Sequence, residues 1–140
     1  MSMEARPEGT DAFVDEREAL RHRVCKVEDR LFLMEEVPIQ SPFTIDVMFD
    51  RLEELSTGLN QFAYAVDLTG VQRPDAPTRQ RLHERVMRIN SRLAHVGVAV
   101  GLNVVIRAVV RLAAFAIGFR SVTFHMTVEE ALEACRRALR

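Results

Sequence analysis

The hydrophobic positions of this chain follow two periods, one typical of strands and one typical of helices. Residues 21–37 contain two short β-rich runs on either side of a polar turn, a pattern that predicts a β-hairpin. Apolar residues then recur at helical spacing over about 44–57, with Ser41 or Thr44 as the cap and Gly58 as the stop. This part of the chain is therefore predicted to form a hairpin followed by a helix.

Three alternations of an apolar run and an amphipathic segment follow. The predicted strands are 61–68, 95–101 and 120–125, and the predicted helices open at the caps Asp75, Asn103 and Thr127. Because each helix must cross the sheet before the next strand can pair, this alternation requires a largely parallel sheet. The sequence thus predicts an α/β fold in which an N-terminal β-hairpin precedes three strand–helix alternations, with a mixed, mostly parallel sheet of about five strands and about four helices.

The N-terminal segment differs from the rest of the chain in composition. Residues 1–18 are polar and net acidic, which predicts an acidic arm with one or two helical turns around 11–20. Residues 19–140 are predicted to form a single domain, since folding at this size buries roughly two-thirds of the unfolded surface. No apolar segment follows a basic start, so we expect no secretory signal and a cytoplasmic location.

One loop of the predicted sheet carries a motif. The third predicted strand ends in Asp67-Leu68-Thr69, followed by Val71 and, at the mouth of a helix, by Asp75. This segment resembles the central signature of STAS domains, the family of anti-sigma-factor antagonists and of the cytoplasmic tails of sulfate transporters, in which Asp-Leu-Ser-x-Val leads to Asp-Ser-Ser-Gly. The order of the predicted elements is similar to that family as well. The resemblance implies a STAS-like domain with a non-enzymatic role in protein interaction and regulation.

The segment departs from the STAS pattern at the residue that carries the family's switch. In the signalling members a kinase phosphorylates the first serine after the motif aspartate, and here that position is Ala76, which has no hydroxyl. Thr78 is the nearest hydroxyl downstream, either as a substitute acceptor or, more commonly for such a residue, as a group that caps the helix. The resemblance therefore implies a domain held permanently in a form like the unphosphorylated one.

We expect the loop 69–78 and the adjoining helix surface to bind a protein partner whose identity the sequence does not give. The residues that carry this expectation are Asp67, Thr69, Arg73, Asp75, Ala76, Thr78 and Arg79. The alternative is a small-anion or phosphate site, since the helix start offers free N–H groups flanked by two arginines. That site requires that Asp75 does not already occupy those donors as the cap.

The helix that follows Asp75 carries a basic stripe beside its apolar one. The members of the stripe, spaced i, i+4, i+7 and i+11, are Arg81, Arg85, Arg88 and Arg92. A solvated face is the commonest meaning of such a stripe, and the alternative is an acidic partner, for which the N-terminal arm is the nearest candidate. Asp46, Asp50 and Glu53 line one side of the preceding helix and are expected to be its solvated face, although paired carboxylates also serve acid–base or metal chemistry.

The helix over 103–117 is apolar on two sides, with a narrow polar strip that includes Arg107 and Arg111. One sheet cannot bury both sides, so the second is expected to meet another subunit or a long apolar ligand, or else to lie beneath the N-terminal arm. The predicted dimer face comprises Ile106, Val110, Ala113 and Ile117. We therefore expect a homodimer, with a carrier or sensor of a lipid or other apolar small molecule as the alternative function.

Composition and charge argue against several further classes of protein. A net charge of -1 is unlike that of a dedicated nucleic-acid binder, whose affinity comes from an excess of Lys and Arg. The arginines within the apolar segment 96–119 argue against membrane insertion. The four histidines and two cysteines show no catalytic or metal-ligand spacing, so we expect no enzyme activity, no metal and no cofactor.

Overall fold

The computed structural model describes residues 8–140, with side chains from residue 15 onward. Within that range five strands form one sheet that has helices on both faces. The strands are β1 (Val24–Glu28), β2 (Leu31–Glu35), β3 (Phe62–Asp67), β4 (Leu93–Ala99) and β5 (Val122–His125). The helices are α1 (Glu8–Arg21), α2 (Pro42–Leu55), α3 (Ala76–Ile89), α4 (Val104–Ala116) and α5 (Val128–Leu139), and a 3₁₀ turn (Asn90–Arg92) follows α3.

The strands lie in the order β1-β2-β3-β4-β5 across the sheet. β1 and β2 pair antiparallel, and the three remaining neighbouring pairs are parallel. The predicted α/β class, the N-terminal hairpin and the three strand–helix alternations are thus confirmed. The described residues contain five α-helices where about four were expected, because α1 is a continuous helix of 14 residues rather than one or two turns.

The predicted acidic arm is divided between two parts of the chain. Residues 1–7 lie outside the described residues, whereas the remainder of the arm belongs to α1, which packs against α2. Leu20 is buried in the core, and the guanidinium of Arg21 donates to the carboxylate of Glu54 at 2.9 Å. The second half of the predicted arm is therefore a helix docked on the domain.

Alternate side chains of each strand enter two separate cores, as the period of a strand requires. On one face, large residues such as Phe32, Phe62 and Tyr64 pack beneath α2, α3 and α4. On the other face the strands present small residues, including Ala63 and Ala65, and α5 covers them. On the first face, the sizes of the side chains and the positions of three helices therefore determine whether a cavity remains between the sheet and the helices.

The helix starts follow short-range signals in the sequence. Ser41 and Thr44 form a reciprocal capping box, with N–H···O distances of 3.2 and 2.9 Å. The side chain of Asn103 accepts the backbone N–H of Ile106 at 3.3 Å at the start of α4. Thr127 caps α5 through the backbone N–H of a residue three positions later. These predicted caps are confirmed.

Candidate functional site

A tight turn fixes the loop at the end of β3. The carboxylate of Asp67 accepts the backbone N–H of Thr69 at 3.1 Å and its hydroxyl at 2.8 Å. Further along the loop, the carbonyl of Val71 accepts the side-chain amide of Asn103 at 3.0 Å. The loop is thus bonded to the start of α4, and its geometry is coupled to that helix.

A second set of hydrogen bonds closes the loop at the start of α3. Asp75 Oδ1 accepts the backbone N–H of Thr78 at 3.0 Å and the hydroxyl of Thr78 at 2.6 Å. These two donors hold the pKa of the Asp75 carboxyl below its ordinary value. Thr78 is fully buried, so its hydroxyl serves the cap rather than standing at the surface as a phosphate acceptor. Asp75 likewise takes the place that an anion at this helix start would need.

The remaining loop residues open onto a groove. Arg73, Ala76 and Arg79 are exposed, and they form one wall of a depression of about 540 Å³. The opposite wall belongs to α4 and includes Val109 and Leu112. The structure therefore brings part of the predicted partner-binding loop and the outer side of α4 together into one surface.

The outward side of α4 is apolar along its whole length. Val105, Leu112 and Phe115 recur along one side of the helix and are 53%, 71% and 85% exposed. Leu102 and Val104 extend the apolar surface at the start of the helix. Contiguous exposed apolar patches of this kind mark interaction sites in monomeric chains.

The residues of the predicted dimer face lie on the side of α4 that faces the sheet, not on the outward side that carries Leu112 and Phe115. The expectation that this side faces outward is therefore corrected. Ile106 is buried against the sheet, and Val110, Ala113 and Ile117 are half-buried and line a cavity beneath α4 that is partly open to solvent. Helical spacing defines two apolar sides without saying which of them meets the sheet. In the structure the side that carries Ile106 faces the sheet, and Asn103 bonds the start of α4 to the preceding loop.

Beneath the inward side of α4 lies a cavity of about 100 Å³ between the first face of the sheet, α3 and α4. Its lining is almost entirely apolar, and the small side chains of Ala113 and Ala114 leave space below the helix. The polar side chains that reach it are Glu36, Gln40, Tyr64 and His83.

Glu36 is not among the site residues predicted from the sequence. This residue follows Phe32 and Met34 with the period of a strand, so the alternation along β2 was the available signal that its side chain turns inward. It is only 9% exposed, and burial raises the pKa of its carboxyl to about 7, although Gln40, the backbone N–H of Val37 and Arg23 act in the opposite direction. A buried carboxyl that changes charge near neutral pH therefore stands at the edge of the cavity.

The basic stripe is built around a buried arginine. Arg85 is 4% exposed, and its guanidinium lies 3.1, 2.7 and 2.9 Å from carboxylate oxygens of Asp46, Asp50 and Glu53. The expectation of a solvated face is therefore wrong for Arg85, and the acidic side of α2 is the partner of the stripe rather than a free solvated face. These residues join α2 to α3.

The other members of the stripe make similar contacts. Arg81 pairs with Asp46, and Arg88 pairs with Glu53 at 2.9 Å. Arg92 donates to the carbonyls of Ser56 and Leu59 at 3.1 and 3.2 Å, and its guanidinium lies over the ring of Phe62. The described acidic partners of the stripe lie on α2 or within α3, not on α1.

The histidines and cysteines form no further site. His95 and His125 both contact the hydroxyl of Thr123, at 2.8 and 2.6 Å, and Cys25 and Cys135 are free thiols. Among the side chains of residues 15–140, no group of three or more His, Cys, Asp or Glu is arranged to hold a metal ion. Among the described helices, none is long and apolar enough to span a bilayer.

Comparison with known proteins assigns no family. No protein-family model matches the chain, and no curated protein matches it. The resemblance to STAS domains stays a prediction, drawn from the motif at 67–75 and from the order of the strands and helices.

Proposed function

We propose that this protein is a cytoplasmic, non-enzymatic STAS-like regulatory module that binds a partner protein through one continuous surface. The surface consists of the loop 69–78 and the outward side of α4. The observation that carries the proposal is the groove between them, in which the exposed Ala76 and its neighbouring arginines face Leu112 of the apolar helix. A rigid sheet presenting a loop of this kind is a common basis for recognition.

The chemistry of the surface defines what the partner presents. Leu112 and Phe115 require apolar side chains to cover them. Arg73 forms no ion pair with a described residue, and the guanidinium of Arg79 donates to the carbonyl of Pro74 at 2.7 Å. These positive charges at the rim favour a partner segment whose apolar row is flanked by carboxylates.

Binding through this surface is constitutive rather than switched by phosphate in the loop. Ala76, the first residue of α3, offers no hydroxyl at the position that the resembling family modifies. The hydroxyl of Thr69 is bonded to Asp67, and Thr78 is buried within the cap. Each alternative acceptor therefore has a structural role.

A second copy of the chain is the competing occupant of the same surface. The homodimer stays a prediction, and the residues first assigned to its face line the cavity beneath α4, with Ile106 buried. A dimer would have to use the outward side of α4 instead. Carriage of an apolar small molecule, the other expected function, depends on the cavity under α4 and not on this surface.

The test compares Leu112→Asp with the control Met87→Asp, which alters an exposed apolar residue outside the groove. Each variant is expressed in the native host, its copurifying proteins are quantified by mass spectrometry, and its mass in solution is measured by light scattering. We expect the wild type and Met87→Asp to retain one common protein that Leu112→Asp loses. Unchanged copurification of that protein with Leu112→Asp would overturn the proposal. A different result would identify a second copy of the chain as the occupant of the surface. In that case the wild type and Met87→Asp are dimers, Leu112→Asp is a monomer, and no other protein is lost from the Leu112→Asp sample.

A further inference from the structure

The cavity under α4 is unusual for the interior of a protein. Native cores contain few voids larger than a water molecule, whereas this one measures about 100 Å³. Apolar cavities of about 150 Å³ remain dry and accept benzene, so the space suits on the order of four to six carbon atoms. The cavity is therefore of the right size and polarity for a small hydrocarbon group.

The helix that covers the cavity is held less firmly than α5, which covers the other face of the sheet. Ile106 is the one residue of α4 that is buried among the described side chains, whereas α5 buries four. Its outward residues Leu112 and Phe115 make little contact with the rest of the chain. The cavity is already partly open to solvent, and a small outward shift of α4 would widen its opening and enlarge it.

One side chain on the rim of the cavity is a buried carboxyl without a cationic partner. Glu36 accepts the backbone N–H of Val37 at 3.3 Å, but it forms no ion pair with any side chain from residue 15 onward. Arg23 is the cation whose charge acts on the Glu36 carboxyl and lowers its pKa. Its guanidinium nevertheless donates to the backbone carbonyls of Glu35 and Glu36 rather than to the carboxylate. Buried charges in proteins are ordinarily paired.

We propose that the cavity binds a small primary amine, with its hydrocarbon part between the sheet and α4 and its ammonium group against the carboxylate of Glu36. An ammonium supplies the missing positive charge and donates hydrogen bonds to an acceptor-only group. A carboxylic acid anion would bring a second negative charge to the same place, and an alcohol would leave the buried charge unpaired. The site lies beneath the inward side of α4, whereas the docking surface uses the outward side with Leu112 and Phe115. The two adjoin, since Leu82, His83, Val109 and Ala113 line both the cavity and the groove.

The surroundings of Glu36 determine how this binding depends on pH. The titratable groups that face the carboxyl or share its cavity are Arg23, Tyr64 and His83. Burial and the neighbouring Glu36 carboxylate raise the pKa of the Tyr64 hydroxyl, so that residue stays neutral. Because burial also raises the pKa of Glu36, amine binding should strengthen as the pH rises from 6 to 8, and it should release protons.

Calorimetric titration of the full chain with hexylamine, hexan-1-ol and hexanoate tests the proposal, because the three probes share one hydrocarbon chain and differ in the head group. At pH 8 we expect saturable binding of hexylamine, weaker binding of hexanol and the weakest binding of hexanoate. Glu36→Gln should lower the affinity for hexylamine about ten- to a hundredfold and leave hexanol binding in place. Glu35→Gln, which alters an exposed neighbour on the opposite face of the strand, should change neither.

Three results would overturn the amine site. They are the absence of saturable binding for all three probes, a preference for hexanol or hexanoate over hexylamine, and an unchanged affinity for hexylamine in Glu36→Gln. Leu112→Asp separates this proposal from the docking surface, since it should abolish partner binding and leave hexylamine binding intact. Ala113→Leu, which fills the cavity, should remove binding of both hexylamine and hexanol in a chain that still folds.

Discussion

Gly97 of β4 lies so close to Ala131 of α5 that a Cβ on residue 97 would stand 2.5 Å from the Ala131 carbonyl oxygen. The obstacle is backbone rather than a flexible side chain, so the contact cannot be relieved by a rotamer change. This close approach places α5 against the small residues of the second face of the sheet.

Gly97→Ala should therefore destabilise the protein by about 1–3 kcal/mol, the usual cost of overpacking a core. Gly70→Ala is the matched control, because a Cβ at that exposed loop position meets nothing within 4 Å. Urea unfolding of the two variants measures the difference. Equal stability of the two variants would mean that α5 is free to move away from the sheet.

The junction between α2 and α3 depends on Arg85. Arg85→Ala should lower the free energy of unfolding by about 3 kcal/mol, since it removes the buried cation that lies among Asp46, Asp50 and Glu53. Arg88→Ala, which removes an arginine whose side chain is 60% exposed, should cost less than about 1 kcal/mol. Denaturant unfolding measures both effects, and similar losses in the two variants would contradict a central role for Arg85.

Glu36 makes stability depend on pH in a defined direction. Its pKa is about 7 in the folded chain against an ordinary value of 4.5, so the folded chain binds more protons between these two pH values. Raising the pH from 4.5 to 7 should therefore remove on the order of 3 kcal/mol of stability through this group. Glu36→Gln should abolish that dependence and be more stable than the wild type at pH 8.

Wild type and Glu36→Gln must be compared because His95 changes the free energy of unfolding with pH in the direction opposite to Glu36. Burial lowers the pKa of His95, so the unfolded chain binds more protons as the pH falls below 6.5, and stability is lost there. Burial lowers the pKa of His125 in the same direction. Thermal unfolding of wild type, Glu36→Gln and Glu35→Gln across pH 5 to 8 separates the contribution of Glu36 from that of the two histidines. A wild-type profile parallel to that of Glu36→Gln would show that Glu36 keeps its ordinary pKa.

A negative charge at residue 76 should weaken partner binding without lowering the stability of the fold. Ala76→Glu places a carboxylate in the first turn of α3, where the helix dipole stabilises it by about 0.3–1 kcal/mol. The same charge would repel an acidic partner and weaken binding roughly tenfold or more. Ala76→Gln has a similar size without the charge and should bind almost normally, and equal binding of the two variants would exclude an acidic contact at this point.

The features that the sequence predicts well are those with short-range causes. Asp75 and Asn103 were recognisable as caps because each bonds to a residue three positions away. The alternation of strands and helices was readable for the same reason, since the two periods differ within each segment. Local agreement of this kind is sufficient to define the succession of strands and helices along the chain and a mostly parallel sheet, whereas the order of the strands across the sheet was not predicted.

The features that escaped prediction depend on distant contacts. The partners of Arg85 lie 32 to 39 positions away along the chain, so no local pattern distinguishes it from the solvated members of the stripe. The inward side of α4 was misassigned because helical spacing marks two equivalent apolar sides, and packing of Ile106 and Val110 against the distant sheet selects between them. The cavity likewise results from small residues of α4 facing strands that are far away in sequence.

Site-specific photo-cross-linking in the native host tests the docking surface most directly. A benzophenone amino acid is introduced in place of Phe115, on the outward side of α4, or in place of Met87, which is exposed outside the groove. We predict one discrete adduct with a different protein from position 115, its loss on adding Leu112→Asp, and no such adduct from position 87. The absence of any specific adduct from position 115, or the same adduct from both positions, would contradict the account.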